Sequence, residues 1–345
     1  MSELRNILTD SVNGLFGDRV TKDLLTDFDQ TGNDGGLWEE IEAQGLTRPL
    51  VSEENGGVGG EWRDAHVLLF ASGYHAAPVP IGETILATWL AEKAGLAVPD
   101  GVSTIIDGRQ DLTLSGGRLS GTVARVPWAS KAAHAVVTAE DQGTTKIGLL
   151  ALGNATVSGG ENAAREPRND VTLDSVALDM RPLPNDVPAD GILLYGAMMR
   201  AAQIAGAMER VLEQTVDYAN ERKQFGRPIG KFQAIQQELA RMAGEAAASA
   251  VIAEAPFAAL DAGQPAQRLI AAAKARASEA AGTGASVGHQ THGAIGFTYE
   301  HNLHFLTRRL WSWRSEFGSQ RFWWRRLGQG TVSRGASQFW PDITG

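Results

Sequence analysis

Four histidines lie close together near the end of this chain, His289, His292, His301 and His304, in two His-x-x-His pairs. That spacing can set two imidazoles on one helical face and is one way to begin a zinc site. No acidic ligand pattern accompanies them, and a Gly-x-x-Gly turn from Gly293 to Gly296 separates the pairs. Packing, or a hydrogen bond inside that turn, accounts for His292 without a metal, and no metal site is assigned. A second stretch, Ser52 to Gly60, is glycine-rich enough for its backbone to cradle an anion. Neither a following Gly-Lys-Ser/Thr nor a preceding buried strand is present, which favours a plain turn. Arg222 and Lys223 pair two cations at the end of a long helical stretch, where the macrodipole favours positive charge. Downstream, Trp311, Trp313, Trp323, Trp324 and Trp340 alternate with Arg308, Arg309, Arg314, Arg321, Arg325 and Arg326. Such alternation can stack nucleotides, but an aromatic interface with cation-π contacts is favoured in an acidic chain.

Charge and composition narrow the chemistry. Lys plus Arg is 31 against 40 for Asp plus Glu, a net charge of -9, which argues against a general nucleic-acid binder. Any phosphate-bearing ligand then needs local cations. There is no cysteine, so disulfides, thiolate metal sites and a cysteine nucleophile are excluded. Met1 to Asp10 shows no charged-then-apolar leader, and no window approaches the ~20 apolar residues that span a bilayer. A soluble, cytoplasmic protein is expected.

The elements that must position these residues read as helical, then β, then helical. Helices are predicted around Leu4 to Phe16, Val20 to Phe28, Leu37 to Leu46, Asp64 to Ala76 and Gly82 to Ala94, the last stopped by Gly95 in a left-handed cap. Short apolar runs follow, Ser103 to Ile106, Leu112 to Leu114, Ala135 to Thr138, Lys146 to Leu152 and Val171 to Leu178, in an antiparallel strand pattern. Ser115-Gly116-Gly117-Arg118 is predicted as a tight turn. Pro182, Pro184 and Pro188 mark an extended linker. Alanine-rich helical periodicity then runs over about 191 to 221, 230 to 260 and 266 to 288, with a kink or break expected at Pro256. Between the first two, Gly226 supplies the left-handed conformation and Pro228 stops the helix. The domains expected are 1–100 helical, 101–188 antiparallel β and 189–345 helical; 345 residues exceed the usual single-domain size. The fold class is α+β, mostly α.

The corner Glu221-Arg222-Lys223-Gln224-Phe225-Gly226-Arg227-Pro228-Ile229-Gly230-Lys231-Phe232-Gln233, with Ile235, Leu239 and Met242 beyond it, resembles the signature of the C-terminal helical domain of acyl-CoA dehydrogenases. The helical, β, helical order is also theirs, so the resemblance covers most of the chain. It implies FAD, with Arg222, Phe225 and Gln233 meeting the cofactor across a subunit interface. His289 to Glu300 resembles the family's Gln-x-x-Gly-Gly-x-Gly-Phe/Tyr-Thr-x-Glu turn, which implies Gln290 and Gly293 as further FAD contacts. The family's Thr-Glu-Pro-x-x-Gly-Ser-Asp loop has no match here. Val126-Pro127-Trp128-Ala129-Ser130 resembles a segment of short members, and Trp128 is a candidate to pack on the flavin or to sit in a core.

The family reaction removes a proton α to a thioester carbonyl while a hydride leaves the β carbon for the flavin, and it needs a base. Alignment on the second motif puts the expected Glu on Phe317, followed by Gly318 and Ser319, with Glu316 one residue early. The family's other base position falls on Gly196, and its neighbouring Arg on Ala197. Glu316 is therefore the candidate base and Ser319 a candidate cofactor contact; a one-residue slip turns a helical side chain by about 100°, which keeps a surface or capping role open for Glu316. The implied function is FAD-dependent α,β-dehydrogenation of an acyl-CoA, with an electron-transfer flavoprotein or similar acceptor as partner and a homo-oligomer, dimer or tetramer, as assembly. The alternatives are a partner-completing subunit of a heterotetrameric dehydrogenase and, third, a helical binding protein that has lost flavin.

Overall fold

The computed structural model describes residues 3–344 and divides into two compact units, 1–196 and 197–345. The first unit opens with five helices: α1 (Glu3–Arg19), α2 (Lys22–Thr31), α3 (Leu37–Ala43), α4 (Trp62–Tyr74) and α5 (Ile81–Lys93). Local chemistry sets their ends. Thr21 caps α2 by accepting from the Leu24 amide, and Gly32 closes it in the left-handed region at φ 71°. Arg5 in α1 is buried and donates to Asp64 of α4 at 2.9 Å, which ties the first helix to the fourth.

The glycine-rich stretch is a packed turn and not an anion cradle. The Ser52 hydroxyl donates to Glu92 at 2.6 Å, and a Cβ at Gly57 would lie 2.1 Å from the Val51 carbonyl oxygen. Gly57 is thus required by packing.

Eight strands follow: β1 (Ser103–Asp107), β2 (Leu112–Ser115), β3 (Arg118–Pro127), β4 (His134–Asp141), β5 (Thr144–Ala151), β6 (Thr156–Ser158), β7 (Arg168–Ala177) and β8 (Arg181–Pro182). They form two four-stranded sheets, β1-β4-β5-β8 and β2-β3-β7-β6. Leu112, Leu119, Val123, Val171 and Leu173 from one sheet and Ile106, Ala135, Val137 and Leu150 from the other bury one shared core. The predicted hairpin at Gly116-Gly117 is present, with Ser115 opposite Arg118 and both glycines at positive φ.

Two expectations are corrected here. The sheet containing β1 is mixed, because β1 and β4 run parallel in the register Ser103↔His134 to Asp107↔Thr138. The chain leaves β1 for the β2-β3 hairpin of the other sheet before returning, so it re-enters in the same direction. Pro182 also belongs to an edge strand beside Lys146, a place where its missing N–H does no harm.

In the second unit, α6 (Gly191–Glu221, begun in the first) leads to a small ribbon of β9 (Lys223–Gln224) and β10 (Arg227–Pro228), then α7 (Gln233–Asp261) and α8 (Gln267–His292). Three helices complete it: α9 (Leu303–Trp313), α10 (Gln320–Arg334) and α11 (Phe339–Thr344). Pro256 does not end α7, which continues through it. By length and composition α7 does reach what a bilayer span needs, with a window of mean hydropathy 1.2, contrary to the expectation from the sequence. Alanines raise that average, and α7 packs along α8 with Met242, Ala246, Ser249, Ala253 and Phe257 buried.

Trp128 is a core residue. It is 3% exposed, its ring lies 5.9 Å from that of Phe28, and its amide donates to the Pro167 carbonyl at 2.9 Å. Trp128→Ala is expected to destabilise the protein by ~3–5 kcal/mol in denaturant unfolding, the usual cost of emptying a buried aromatic site.

Candidate functional site

The corner after α6 is built as a hairpin, not as a helix cap. α6 stops at Glu221, and the Arg222 carbonyl accepts from the Ile229 amide at 2.8 Å, closing a loop around the β9-β10 ribbon. Gln224 pairs with Arg227, and the two residues between them, Phe225 at φ 50° and Gly226 at φ 79°, are both left-handed. That is the two-residue turn which matches strand twist, so Gly226 is left-handed as expected but closes a ribbon instead of a helix. Phe225 holds the same conformation with a bulky side chain, a strained choice for a residue 91% exposed. Arg222 and Gln233 are exposed as well, Gln233 as the first residue of α7. Arg227 stacks on Phe232 at 4.3 Å and leaves the Phe225 ring on the outside.

The second motif ends α8. Gln290 and Gly293 are exposed, Gly293 is at φ 65°, and a Cβ added there would meet nothing within 4 Å. Behind this open turn stand the histidines. His292 is buried, shares a hydrogen bond at 2.8 Å with the Gly288 carbonyl and stacks on Tyr218 of α6 at 4.4 Å. His301 lies edge-on to both, 4.5 Å from His292 and 6.1 Å from Tyr218. Tyr218 is one helical turn before Arg222, so the corner and the second motif share one end of the unit. His289 stacks between Phe297 at 3.9 Å and Trp311 at 5.3 Å, with Thr307 at hydrogen-bonding distance, 2.8 Å. Among the described residues no group of three or more His, Cys, Asp or Glu is arranged to hold a metal. The imidazoles are packing groups, and burial pulls their pKa values down: His292 to about 4, His289 and His301 below the ordinary histidine range.

Glu316 stands elsewhere, in the turn between α9 and α10. Its side chain is 11% exposed and accepts from Arg200 Nε at 2.8 Å. Arg200, on α6, is buried, donates to Gln203 Oε1 at 2.5 Å and lies 5.7 Å from the rings of both Trp313 and Phe317. The helix that follows is capped by Ser319, whose hydroxyl accepts from the Phe322 amide at 3.4 Å and keeps its own proton to donate. Glu316 is therefore neither the cap nor a surface acid. Close by, Lys274 of α8 is fully buried, and burial lowers its pKa to about 7, Glu316 opposing that shift and Arg200 adding to it. Arg200 and Lys274 escape a reading of the sequence: each is one of a few cations in an alanine-rich helix, where a charge ordinarily faces water. The available signal is register, since Lys274 is in step with buried Ile270, Ala277 and Ala281.

The two clusters sit at opposite ends of α6. From Arg200 to Tyr218 the helix rises ~27 Å, and to Arg222 ~33 Å. The Trp/Arg tail divides likewise: Trp313 and Trp323 are core, while Trp324 and Trp340 are 48% and 67% exposed.

Comparison with known proteins identifies the family and the fold. The family described as acyl-CoA dehydrogenase, C-terminal domain, matches residues 189–327. The chain is 35% identical over 287 residues to acyl-CoA dehydrogenase IpdE2 of Mycobacterium tuberculosis, covering 81% of each protein. It is 29% identical over 334 residues to IpdE2 of Mycolicibacterium smegmatis, covering 95% of this chain and 98% of that one. Among solved structures, the Tcur3481-Tcur3483 steroid ACAD matches with a TM-score of 0.87 and 26% identity over 96% of this chain and 98% of that chain. The ChsE4-ChsE5 complex of Mycobacterium tuberculosis matches in fold, at TM-score 0.87 and 24% identity over 95% of this chain and 97% of that one.

The histidines make the second unit acid-sensitive. Their folded pKa values lie below the unfolded value near 6.5, so the unfolded chain takes up more protons, and stability present above pH ~6.5 is lost as pH falls toward 4. His292→Phe keeps a ring on Tyr218 and cannot take up a proton. Thermal unfolding from pH 7 to 4 is expected to show a shallower fall in midpoint for this variant than for wild type.

Proposed function

Because the chain belongs to the acyl-CoA dehydrogenase family, we propose that it carries out FAD-dependent α,β-dehydrogenation of an acyl-CoA thioester with Glu316 as the base. The observation that carries this reading is the placement of Glu316: a carboxylate turned inward and held by a buried arginine. After Glu300 the only acidic residues in the sequence are Glu316 and Asp342, and Phe317 and Gly196 offer no proton acceptor at the positions the family uses.

The cofactor fits the exposed end of the unit. Arg222 would meet the pyrophosphate charge, Phe225 the flavin side, and Gln233, Gln290 and Gly293 would supply hydrogen-bonding groups or close backbone approach, while Ser319, beside Glu316 at the other end of α6, would meet a cofactor held by the corner of a partner chain. Their exposure in the single chain, the strained Phe225 and the open space over Gly293 support a ligand there. FAD, when bound, would supply the two-electron acceptor for the β-hydride; Glu316 would take the α-proton, leaving a carbon-carbon double bond in the product. Arg200 holds Glu316 as the carboxylate before that step. When the proton arrives, Arg200 keeps Gln203 and the faces of Trp313 and Phe317. A guanidinium in contact also opposes proton uptake, so the reading requires this contact to loosen when substrate is bound.

The ~27–33 Å along α6 between the two clusters supports a site completed by two chains, the corner of one serving Glu316 of another. α7 also leaves Ala240, Gly244, Ala247, Ala248 and Val251 exposed along one side, a face suited to close approach by another helix. A second reading, a subunit of a heteromeric dehydrogenase for a bulky substrate, is supported by the likeness to the Tcur3481-Tcur3483 steroid ACAD and by Phe317 at the family's base position. Under it the chain alone is colourless, and a co-expressed relative restores flavin and turnover. As in the family, an electron-transfer flavoprotein or similar acceptor would reoxidise the cofactor, in the cytoplasm.

Arg222→Ala is expected to lower flavin content, read at the flavin absorption bands, far more than it lowers the melting temperature. Equal loss of both makes Arg222 a structural residue. Glu316→Gln keeps shape and removes basicity, and turnover is expected to fall by several orders of magnitude with flavin retained. Turnover near wild type refutes the base.

A further inference from the structure

We propose that Lys274 is a positioning residue for the carboxylate of Glu316: by tying the carbonyls on both sides of that residue to α8, it fixes the turn that presents Glu316 to Arg200. The proposal deepens, and rests on, the reading of Glu316 as base. Lys274 Nζ donates to the carbonyls of Arg314 at 2.9 Å and Gly318 at 3.0 Å, and to the Ser278 hydroxyl at 3.1 Å. An ammonium has three N–H groups, and all three are used. Two of them bracket Glu316, two residues before it and two after. Ser278, one turn along α8, donates in addition to the Arg314 carbonyl at 3.0 Å.

The turn needs such a hold. Phe317 is left-handed at φ 51°, a strained state for a bulky residue, and Gly318 follows at φ 94°. Besides Lys274 and Ser278, Trp323 holds the turn, its Nε1 donating to the Phe317 carbonyl at 3.0 Å. A Cβ at Gly318 would come within 2.6 Å of that same nitrogen, so indole and ammonium close on the turn from two sides. None of the three groups accepting from Lys274 is a carboxylate. Burying an ammonium against neutral acceptors is unfavourable compared with a hydrophobic side chain in an alanine-rich interface. What it gains is the geometry of the turn. With the Arg314 and Gly318 carbonyls fixed, the Glu316 side chain has one direction to leave the backbone, toward Arg200.

The test uses the flavin-loaded protein and two variants. Lys274→Met keeps the aliphatic stem and removes every donor; Ser278→Ala keeps the buried cation and removes one link. Each is read by carbodiimide labelling of Glu316 located by peptide mass spectrometry, by amide deuterium uptake, and by kcat and KM with octanoyl-CoA. The expected result for Lys274→Met is at least about tenfold faster labelling of Glu316, faster uptake confined to residues 314–319, and kcat lower by ~10²-fold with KM and flavin content within about twofold. Ser278→Ala moves the same readouts in the same direction by about threefold, which keeps the proposal testable if Lys274→Met does not fold. Labelling and uptake at wild-type rates in both variants overturn the proposal, as does a loss in Ser278→Ala spread evenly over α8, flavin content and KM. The labelling and uptake arms decide whether Lys274 holds Glu316 even if octanoyl-CoA is not a substrate. Loss or retention of turnover in Glu316→Gln decides the base separately.

Discussion

Two buried cations, Arg200 and Lys274, have no water to solvate them and must be answered by groups the chain itself provides. Glu316 answers the first, and the backbone carbonyls around Glu316 answer the second. One short turn therefore satisfies charges projecting from two different helices, α6 and α8. Removing either partner would leave a charge buried and unpaired, which is why the left-handed Phe317 and the crowded Gly318 can persist there. The turn is held in place by electrostatics rather than by local propensity, and it carries Glu316, a carboxylate turned inward.

α6 then acts as a ruler. Near its start it presents Arg200 to Glu316, and near its end it stacks Tyr218 on His292 and delivers Arg222 to an exposed ribbon. A straight helix cannot bring those ends together, and the ion pair at one end cannot reach the exposed corner at the other. On the proposed reading, each half of a site is therefore incomplete within a single chain. The contrast in burial points the same way: Glu316 and its partners are packed inward, whereas Phe225, Arg222, Gln233 and Gln290 face solvent.

Much of this was legible in the sequence where local chemistry decides structure. The break at Gly226-Arg227-Pro228, the Gly116-Gly117 hairpin and the long helical repeats follow from residue types that permit few conformations. Glu316 was found by counting along a motif, and the structure supplies what counting lacked, the direction of its side chain. The partners Arg200 and Lys274 were not legible, because a cation in an alanine-rich helix looks the same whether it faces water or a buried carbonyl. The parallel pairing of β1 with β4 was hidden for a related reason: strand direction depends on where the chain goes between the strands, through the other sheet, and not on the strands' own residues. Trp128 looked available to a ligand until its packing against Phe28 placed it in the core.

If the corner of one protomer works with Glu316 of another, subunit complementation will reveal it. Arg222→Ala and Glu316→Gln chains, each inactive alone, are unfolded, mixed in equal amounts, refolded with FAD and assayed. In a mixed symmetric pair one of the two sites inherits both intact halves, so about a quarter of wild-type turnover is expected to return. Recovery no greater than the sum of the two parents would contradict it.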